Sequence, residues 1–193
     1  MKPIFIAEIK TQSPFGYKSN DSFATLMECA IHHGDWVAVH TNALWGGDFD
    51  AISFVRKYTD KPILAKGIHG TNDDIHRAFD HGANYVLVVD RIPNTSDYLL
   101  QEKFKARVLM EFSNISRVVG NVRFNQYWKD SKYVYNARDL QTGLPRRTNQ
   151  LSTLLELGVW TCQASMITSW YDVNPNVQAF IVGEHLVSFC NKL

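Results

Sequence analysis

The sequence predicts a single domain over residues 1–193, folded as a (β/α)8 TIM barrel of the α/β class. Apolar, β-prone segments alternate with helical segments eight times, and such regular alternation is typical of a parallel sheet. Eight units in 193 residues favour a closed barrel. The alternative, an open doubly wound sheet, usually has a glycine-rich phosphate turn after its first strand, where this chain has only Gly16.

The eight predicted strands are short, and several of them end in a charged or polar residue. They are predicted at 3–10, 36–40, 62–66, 85–89, 107–111, 133–136, 159–163 and 179–182. The segment 85–89 is apolar throughout, as expected for a strand whose two faces are both covered. Helices on the outside of a barrel would provide that cover.

The helices between the strands are predicted from capping residues and from the spacing of apolar residues. A polar run at 20–22 can begin the first helix, and Gly34 can end it. Further helices are predicted after residue 48, from 71 to about 82, around 98–104, from 114 into the 120s and around 151–155. After the seventh strand Pro175 cuts a helix short, and Gly183-Glu184 opens the last helix.

Composition excludes several classes of partner. The chain has 20 Lys and Arg against 19 Asp and Glu, so its net charge of +1 does not predict a broad nucleic-acid or membrane surface. Neither a membrane-spanning apolar run nor a signal peptide is recognisable. Cys29, Cys162 and Cys190 lack metal-type spacing, and their odd number does not suggest a disulfide framework. These features predict a cytoplasmic protein.

Charged side chains stand at the ends of the predicted strands. Glu8 and Lys10 are two residues apart on the first strand, so they share one face of it. The corresponding residues of later strands are Lys66, Glu111, Asn136 with Arg138, and Gly183. One such charge is usually only solvated, but five strands that end this way favour a shared pocket at the mouth of a barrel. Two lysines and two carboxylates would supply a general acid, a general base and mutual tuning of their pKa values.

A phosphate site is predicted where the last helix begins. The backbone N–H groups of Gly183 and Glu184 can face a phosphate there, as in many barrels. The alternative is an ordinary helix start without a ligand.

Several of these stretches resemble the indole-3-glycerol-phosphate synthase family. The matching segments, in chain order, are 6–10 with Ser13-Pro14, 41–49, 62–66, 109–111, 136–140 and 182–186. Their order agrees with that of the family, and most lie at the end of a predicted strand. The chain is therefore identified as similar to a short form that begins at the first strand, without the family's N-terminal helical segment.

The resemblance implies a carbon–carbon lyase of tryptophan biosynthesis. Such a carboxy-lyase closes the indole ring of 1-(2-carboxyphenylamino)-1-deoxyribulose 5-phosphate with loss of CO2 and water. It implies Lys66 as the general acid, Glu111 as its acid/base partner, and Lys10, oriented by Glu8, as a second proton donor or carboxylate ligand. By the same resemblance, substrate would contact Asn136, Arg138, Ser13 and Trp45, and phosphate would contact Gly183, Glu184 and Ser165. A monomer is expected, with a phosphorylated small molecule as its partner and no metal or cofactor.

The chain departs from the family pattern at two strand ends. Gly67-Ile68 follows the third strand where the family has Asp-Phe, and Gln163-Ala164-Ser165 replaces Glu-Ser-Gly after the seventh. An alternative is therefore an impaired barrel that binds a phosphorylated metabolite or a protein partner without turnover. A third possibility, phosphoribosylanthranilate isomerase, would need a cysteine and an aspartate at strand ends, and none of the three cysteines is predicted at one.

Overall fold

A computed structural model describes residues 2–93, 105–124, 131–146 and 150–193. Within these ranges, eight parallel strands close a barrel in chain order, with β8 paired to β1. They are β1 Ile4–Ile9, β2 Trp36–His40, β3 Ile63–Lys66, β4 Tyr85–Val89, β5 Val108–Glu111, β6 Lys132–Asn136, β7 Trp160–Ala164 and β8 Ala179–Val182. The predicted (β/α)8 fold is confirmed.

Helices cover the outside of the barrel. Those in the described ranges are α1 Phe23–His33, α2 Phe49–Arg56, α3 Asn72–Asp80, α4 Ile115–Phe124, α5 Leu151–Glu156 and α6 Leu186–Cys190. Ser22 caps α1 by accepting a hydrogen bond from the Thr25 N–H, and Thr71 and Asp74 form a reciprocal capping box on α3. None of these helices combines the length and apolar character needed to cross a membrane. The helix predicted around 98–104 lies outside the described residues.

Two helix predictions near the C-terminal strands need correction. Between β7 and β8 the chain forms only a 3-10 turn, Trp170–Asp172, because the Asp172 carboxylate draws the Thr168 and Ser169 N–H groups into a tight loop. The last helix begins at Leu186, three residues after Gly183, where its opening is predicted. Gly183 and Glu184 therefore lie in the turn before α6, where the Gly183 carbonyl accepts the Leu186 N–H at 3.0 Å.

The strands alternate between two cores, as the period of a β-strand requires. On β1, Phe5, Ala7 and Ile9 pack outward against the helices, whereas Ile6 packs inside the barrel. Inside the barrel, apolar side chains such as Ile6 and Leu64 form the interior core. The last inward-facing positions are polar or charged on five strands, and these are Glu8, His40, Lys66, Glu111 and Asn136. The pleat of the strands therefore collects these side chains at the C-terminal mouth.

Aromatic rings close the opposite, N-terminal end of the barrel. Trp36 stacks on Tyr85 with ring centroids 4.1 Å apart and planes within 8°. The ring of Trp160 lies 6.3 Å from that of Trp36, and Lys132 Nζ lies 5.6 Å from the Tyr85 ring. This end of the barrel is filled by packed aromatic rings.

Candidate functional site

Glu8 is the centre of the site. Its carboxylate is buried, with only 4% of the residue exposed. Lys66 Nζ donates a hydrogen bond of 2.9 Å to Glu8 Oε1, and His40 Nε2 bonds to the same oxygen. Because β1, β2 and β3 are neighbours in the barrel, their last inward side chains meet here. A single carboxylate oxygen thus lies between an ammonium and an imidazole.

The charges around Glu8 decide its protonation and that of His40. Burial alone would raise the pKa of Glu8, but the charge of Lys66 and the hydrogen bond with His40 outweigh burial and hold that pKa well below its ordinary value. Burial lowers the pKa of His40 in spite of the neighbouring carboxylate, so the imidazole is neutral near pH 7. A neutral ring that donates from Nε2 carries an acceptor at Nδ1. Among the described residues, the buried Nδ1 has no hydrogen-bond partner.

Glu111 is the second buried carboxyl group of the mouth. Asn136 Nδ2 donates to Glu111 Oε1 at 3.0 Å, and Asn136 Oδ1 accepts the Arg138 N–H at 3.0 Å. Burial raises the pKa of Glu111, and the charge of Lys66 and the hydrogen bond from Asn136 only partly offset that rise. The pKa values of Glu8 and Glu111 are therefore shifted in opposite directions, a pattern that separates a carboxylate that stays charged near neutral pH from one that can carry a proton more readily.

Glu184 forms a third cluster beside the first two. Its carboxylate accepts a hydrogen bond of 2.8 Å from Lys10 Nζ and a two-pronged bond from Arg138, at 2.7 and 2.9 Å. Bidentate pairing of this kind is among the strongest charge-assisted contacts in proteins. Burial would raise the pKa of Glu184, but the hydrogen bonds from Lys10 and Arg138 lower it below the ordinary value. Lys10 and Arg138 are thus already paired with the carboxylate of Glu184, a residue predicted for the phosphate site.

Two cavities open at this mouth, and Lys66 lines both. The larger, of about 260 Å³, is bounded mainly by apolar side chains together with His40, Trp45, Lys66, Asp90, Glu111 and Asn136. The smaller, of about 40 Å³, lies against Glu8, Lys10, Arg138, Ser165, Gly183 and Glu184. A ligand that reached from one cavity to the other would pass the Lys66 ammonium.

The structure brings most of the residues predicted for the site to these two cavities. Ser13 is the exception: it lines neither cavity, and its hydroxyl accepts the Phe15 N–H at 3.3 Å within the loop after β1. Trp45 stacks parallel to the His40 ring, with centroids 6.0 Å apart. Ser165 has a backbone φ of +68°, a left-handed conformation that usually favours glycine.

Gly183 is required by close packing. A Cβ atom built there would collide with the Glu8 carboxylate. Because glycine has no side chain, the backbone after β8 can lie close to the Glu8 carboxylate, and Gly183 thus makes room for Glu8.

Sequence reasoning missed two groups that line the larger cavity. His40 ends the apolar strand β2, and it faces the same way as Trp36 and Ala38 because the three residues alternate along that strand. Asp90 follows β4 with a φ of +52°, and its carboxylate accepts hydrogen bonds from the Ser113 N–H and hydroxyl at 2.8 and 2.9 Å. The sequence signal that could have revealed Asp90 is its position immediately after the apolar strand β4.

Comparison with known proteins gives a fold but no family. No protein-family model matches the chain. Among solved structures it resembles KGPDC (3-keto-L-gulonate 6-phosphate decarboxylase) from Streptococcus mutans, with a TM-score of 0.65 at 14% identity over 95% of this chain and 88% of that one. The same enzyme in complex with a phosphorylated sugar gives a TM-score of 0.64 at 14% identity, over 94% of this chain and 88% of that one. At this identity the likeness establishes the barrel fold.

The predicted relationship to indole-3-glycerol-phosphate synthase is wrong, and so is the ring-closing activity that it implied. The likeness to KGPDC barrels overturns both. The matching segments were short and mostly lay at strand ends. Any barrel with a charged mouth places lysines, carboxylates and glycines at those positions, so they report the architecture and leave the family open.

Proposed function

We propose that this barrel is a carboxy-lyase that decarboxylates a small phosphorylated sugar acid, with Lys66 as the proton donor. The observation that carries the proposal is the position of the Lys66 ammonium, which is hydrogen-bonded to Glu8 and lines both cavities. The structural neighbours add support, since KGPDC is by name a decarboxylase and one of its structures holds a phosphorylated sugar.

Decarboxylation breaks the bond between the carboxylate carbon and its neighbour, and the electron pair stays on the neighbour. A cation beside that atom lowers the barrier because negative charge develops there. Among the described residues, Lys66 is the cation that lines the larger cavity, and its proton would then quench the carbanion. The charge-assisted hydrogen bond to Glu8 orients Lys66 Nζ. Because both partners of this bond belong to the protein, the ammonium is in position before substrate binds.

Glu111 and His40 suit supporting roles in the same cavity. Because burial raises the pKa of Glu111, this side chain can hold a proton near a reacting oxygen and return it to Lys66. The Nδ1 acceptor of His40 can bind a substrate hydroxyl group. The cavity of about 260 Å³ suits the reacting part of a small-molecule substrate.

Lys10 and Arg138 are the cations that would hold the phosphate in the smaller cavity. Both are paired with Glu184 in this structure. A phosphate would therefore exchange for the Glu184 carboxylate or bind beside it, and the contribution of Ser165 and Gly183 would be secondary.

The test is release of CO2 from phosphorylated sugar acids, beginning with 3-keto-L-gulonate 6-phosphate, and binding of D-ribulose 5-phosphate measured by calorimetry. Lys66→Met should lower turnover by ~10²–10⁴-fold, the usual contribution of a positioned general acid. Lys57→Met, which changes an exposed lysine, is the matched control. If the unmodified protein releases no CO2 from any of these acids and does not bind the pentulose phosphate, the proposed activity is rejected.

A further inference from the structure

A cluster of soft ligands lies outside the barrel mouth, where α1 meets α6. Cys29 and His33 are four residues apart on α1, so they project from the same face of that helix. Cys190 is the last residue of α6. The two Sγ atoms and a ring nitrogen of His33 all lie within 4.8 Å of one another. None of the three lines the cavities of the proposed active site.

We propose that Cys29, His33 and Cys190 form a zinc site that ties the first helix of the barrel to the last. Two thiolates and one imidazole form a soft ligand set, which binds zinc in preference to harder cations such as Mg²⁺ or Ca²⁺. An i, i+4 pair on one helix face is also a recurrent way to present two zinc ligands.

The distances are compatible with a tetrahedral ion after a small adjustment. Zinc bonds of about 2.3 Å to sulfur and about 2.0 Å to nitrogen imply ligand atoms ~3.5–3.8 Å apart. The separations of up to 4.8 Å therefore need to contract by about 1 Å, which rotation of the side chains can supply.

The three ligands differ in burial, and this difference indicates which side of the site faces solvent. Cys190 is buried, Cys29 is partly buried and His33 is exposed. The fourth coordination position would therefore lie on the exposed side, where water can occupy it. The spacing of residues in the sequence does not predict this site, because Cys190 is far from Cys29 and His33 along the chain.

The expected effect is on stability. α1 follows β1 and α6 follows β8, and these two strands pair where the barrel closes. An ion shared by the two helices would hold that closure together, because its binding free energy contributes directly to the folded state. The proposed catalytic mouth is formed by other residues and should not require the ion.

The test uses the full chain, reduced and stripped of metal by chelation, with Co²⁺ as a spectroscopic probe. We expect one Co²⁺ per chain with thiolate-to-cobalt charge-transfer absorption, displacement by one equivalent of Zn²⁺, and a higher Tm with zinc. Cys29→Ser and Cys190→Ser should abolish the absorption band and the Tm shift. His33→Gln, on the exposed side, should weaken binding without unfolding the chain.

Two variants serve as matched controls. His32→Gln changes the neighbouring histidine, whose ring meets that of His33 edge-on, and Cys162→Ala changes a thiol inside the barrel. Both should keep the cobalt spectrum. The proposal is overturned if the reduced chain binds no cobalt, if the band survives in His33→Gln and the cysteine variants alike, or if Cys29 and Cys190 form a disulfide whose reduction yields no metal binding.

Discussion

The Lys66 ammonium and the Glu8 carboxylate form a hydrogen-bonded ion pair of 2.9 Å at the buried mouth of the barrel, and His40 bonds to the same carboxylate oxygen. Lys66 and Glu8 come from strands that are separated by β2, so the pair bridges across the pleated interior. A buried carboxylate with two such partners is stable only while both remain. The pair therefore links the stability of the barrel to its proposed chemistry.

Removing the charge of Glu8 tests that link. Glu8→Gln leaves Lys66 without its counter-ion in a site that is largely closed to water, and it should destabilise the fold by about 3 kcal/mol. It should also lower turnover, because Lys66 is no longer held in position. Chemical denaturation and CO2 release measure the two effects. Glu156→Gln, at an exposed position on α5, should change neither, and equal behaviour of the two variants would contradict the role given to Glu8.

Acid should weaken the fold through the same residue. Because the folded pKa of Glu8 lies below its unfolded value, its contribution to stability is complete above the ordinary carboxyl pKa. That contribution is lost as the pH falls through the depressed folded value. Measuring Tm against pH should show a steeper acid loss in the unmodified chain than in Glu8→Gln, and parallel curves would argue against a depressed pKa.

The contribution of Glu111 to stability depends on pH in the opposite direction to that of Glu8. Its folded pKa is raised, so the native state loses stability as the pH rises from the ordinary carboxyl pKa to the folded value. Glu111→Gln can still accept the Asn136 hydrogen bond but cannot ionise. We therefore expect this variant to gain stability at neutral pH and to lose turnover, as residues kept for function often do. A variant that loses stability at neutral pH would show that the burial cost of Glu111 is already compensated.

Glu184 should compete with phosphate for Lys10 and Arg138. Glu184→Gln removes the carboxylate that both cations contact, so inorganic phosphate and D-ribulose 5-phosphate should bind more tightly by calorimetry. Glu156→Gln again provides the control for loss of one carboxylate. Weaker binding in Glu184→Gln would mean that this residue positions the two cations for the ligand.

The stacked aromatic rings at the N-terminal end of the barrel should contribute to stability but not to turnover. Trp36→Ala removes a ring that stacks on Tyr85, and truncation of a buried aromatic side chain costs about 3–5 kcal/mol. Turnover per folded molecule should be unchanged because the mouth lies at the other end. Tyr171→Ala, at a position that is 99% exposed, is the comparison, and a selective loss of turnover in Trp36→Ala would contradict this division.

Sequence reasoning succeeded where the information is local. The alternation of short apolar strands with capped helices predicted the barrel, and the capping roles of Ser22 and Thr71 were visible as short polar runs. Strand ends must meet at one mouth, so the proximity of Lys66, Glu111 and Asn136 followed from the fold class. The roles given to these residues in catalysis stay predictions.

The same reasoning failed where short motifs were used to name a family. Charged strand ends are a property that many unrelated barrels share, so a handful of matched segments could not separate one family from another. It also misplaced the start of the last helix, which begins at Leu186 and not at Gly183-Glu184. It gave no sign that Gly183 packs against Glu8, because that residue lies at the other end of the chain.

The sequence by itself determined the barrel and the mouth at which its charged residues gather, because each β/α unit is encoded by periodicity within about ten residues. Only the tertiary structure decided which charges pair. His40 joins Glu8, Glu184 holds Lys10 and Arg138, and Cys190 reaches Cys29 and His33 through contacts between segments that are distant along the chain. The physical reason is that such pairings depend on strand register and on side-chain rotamers, which no local pattern of residues specifies.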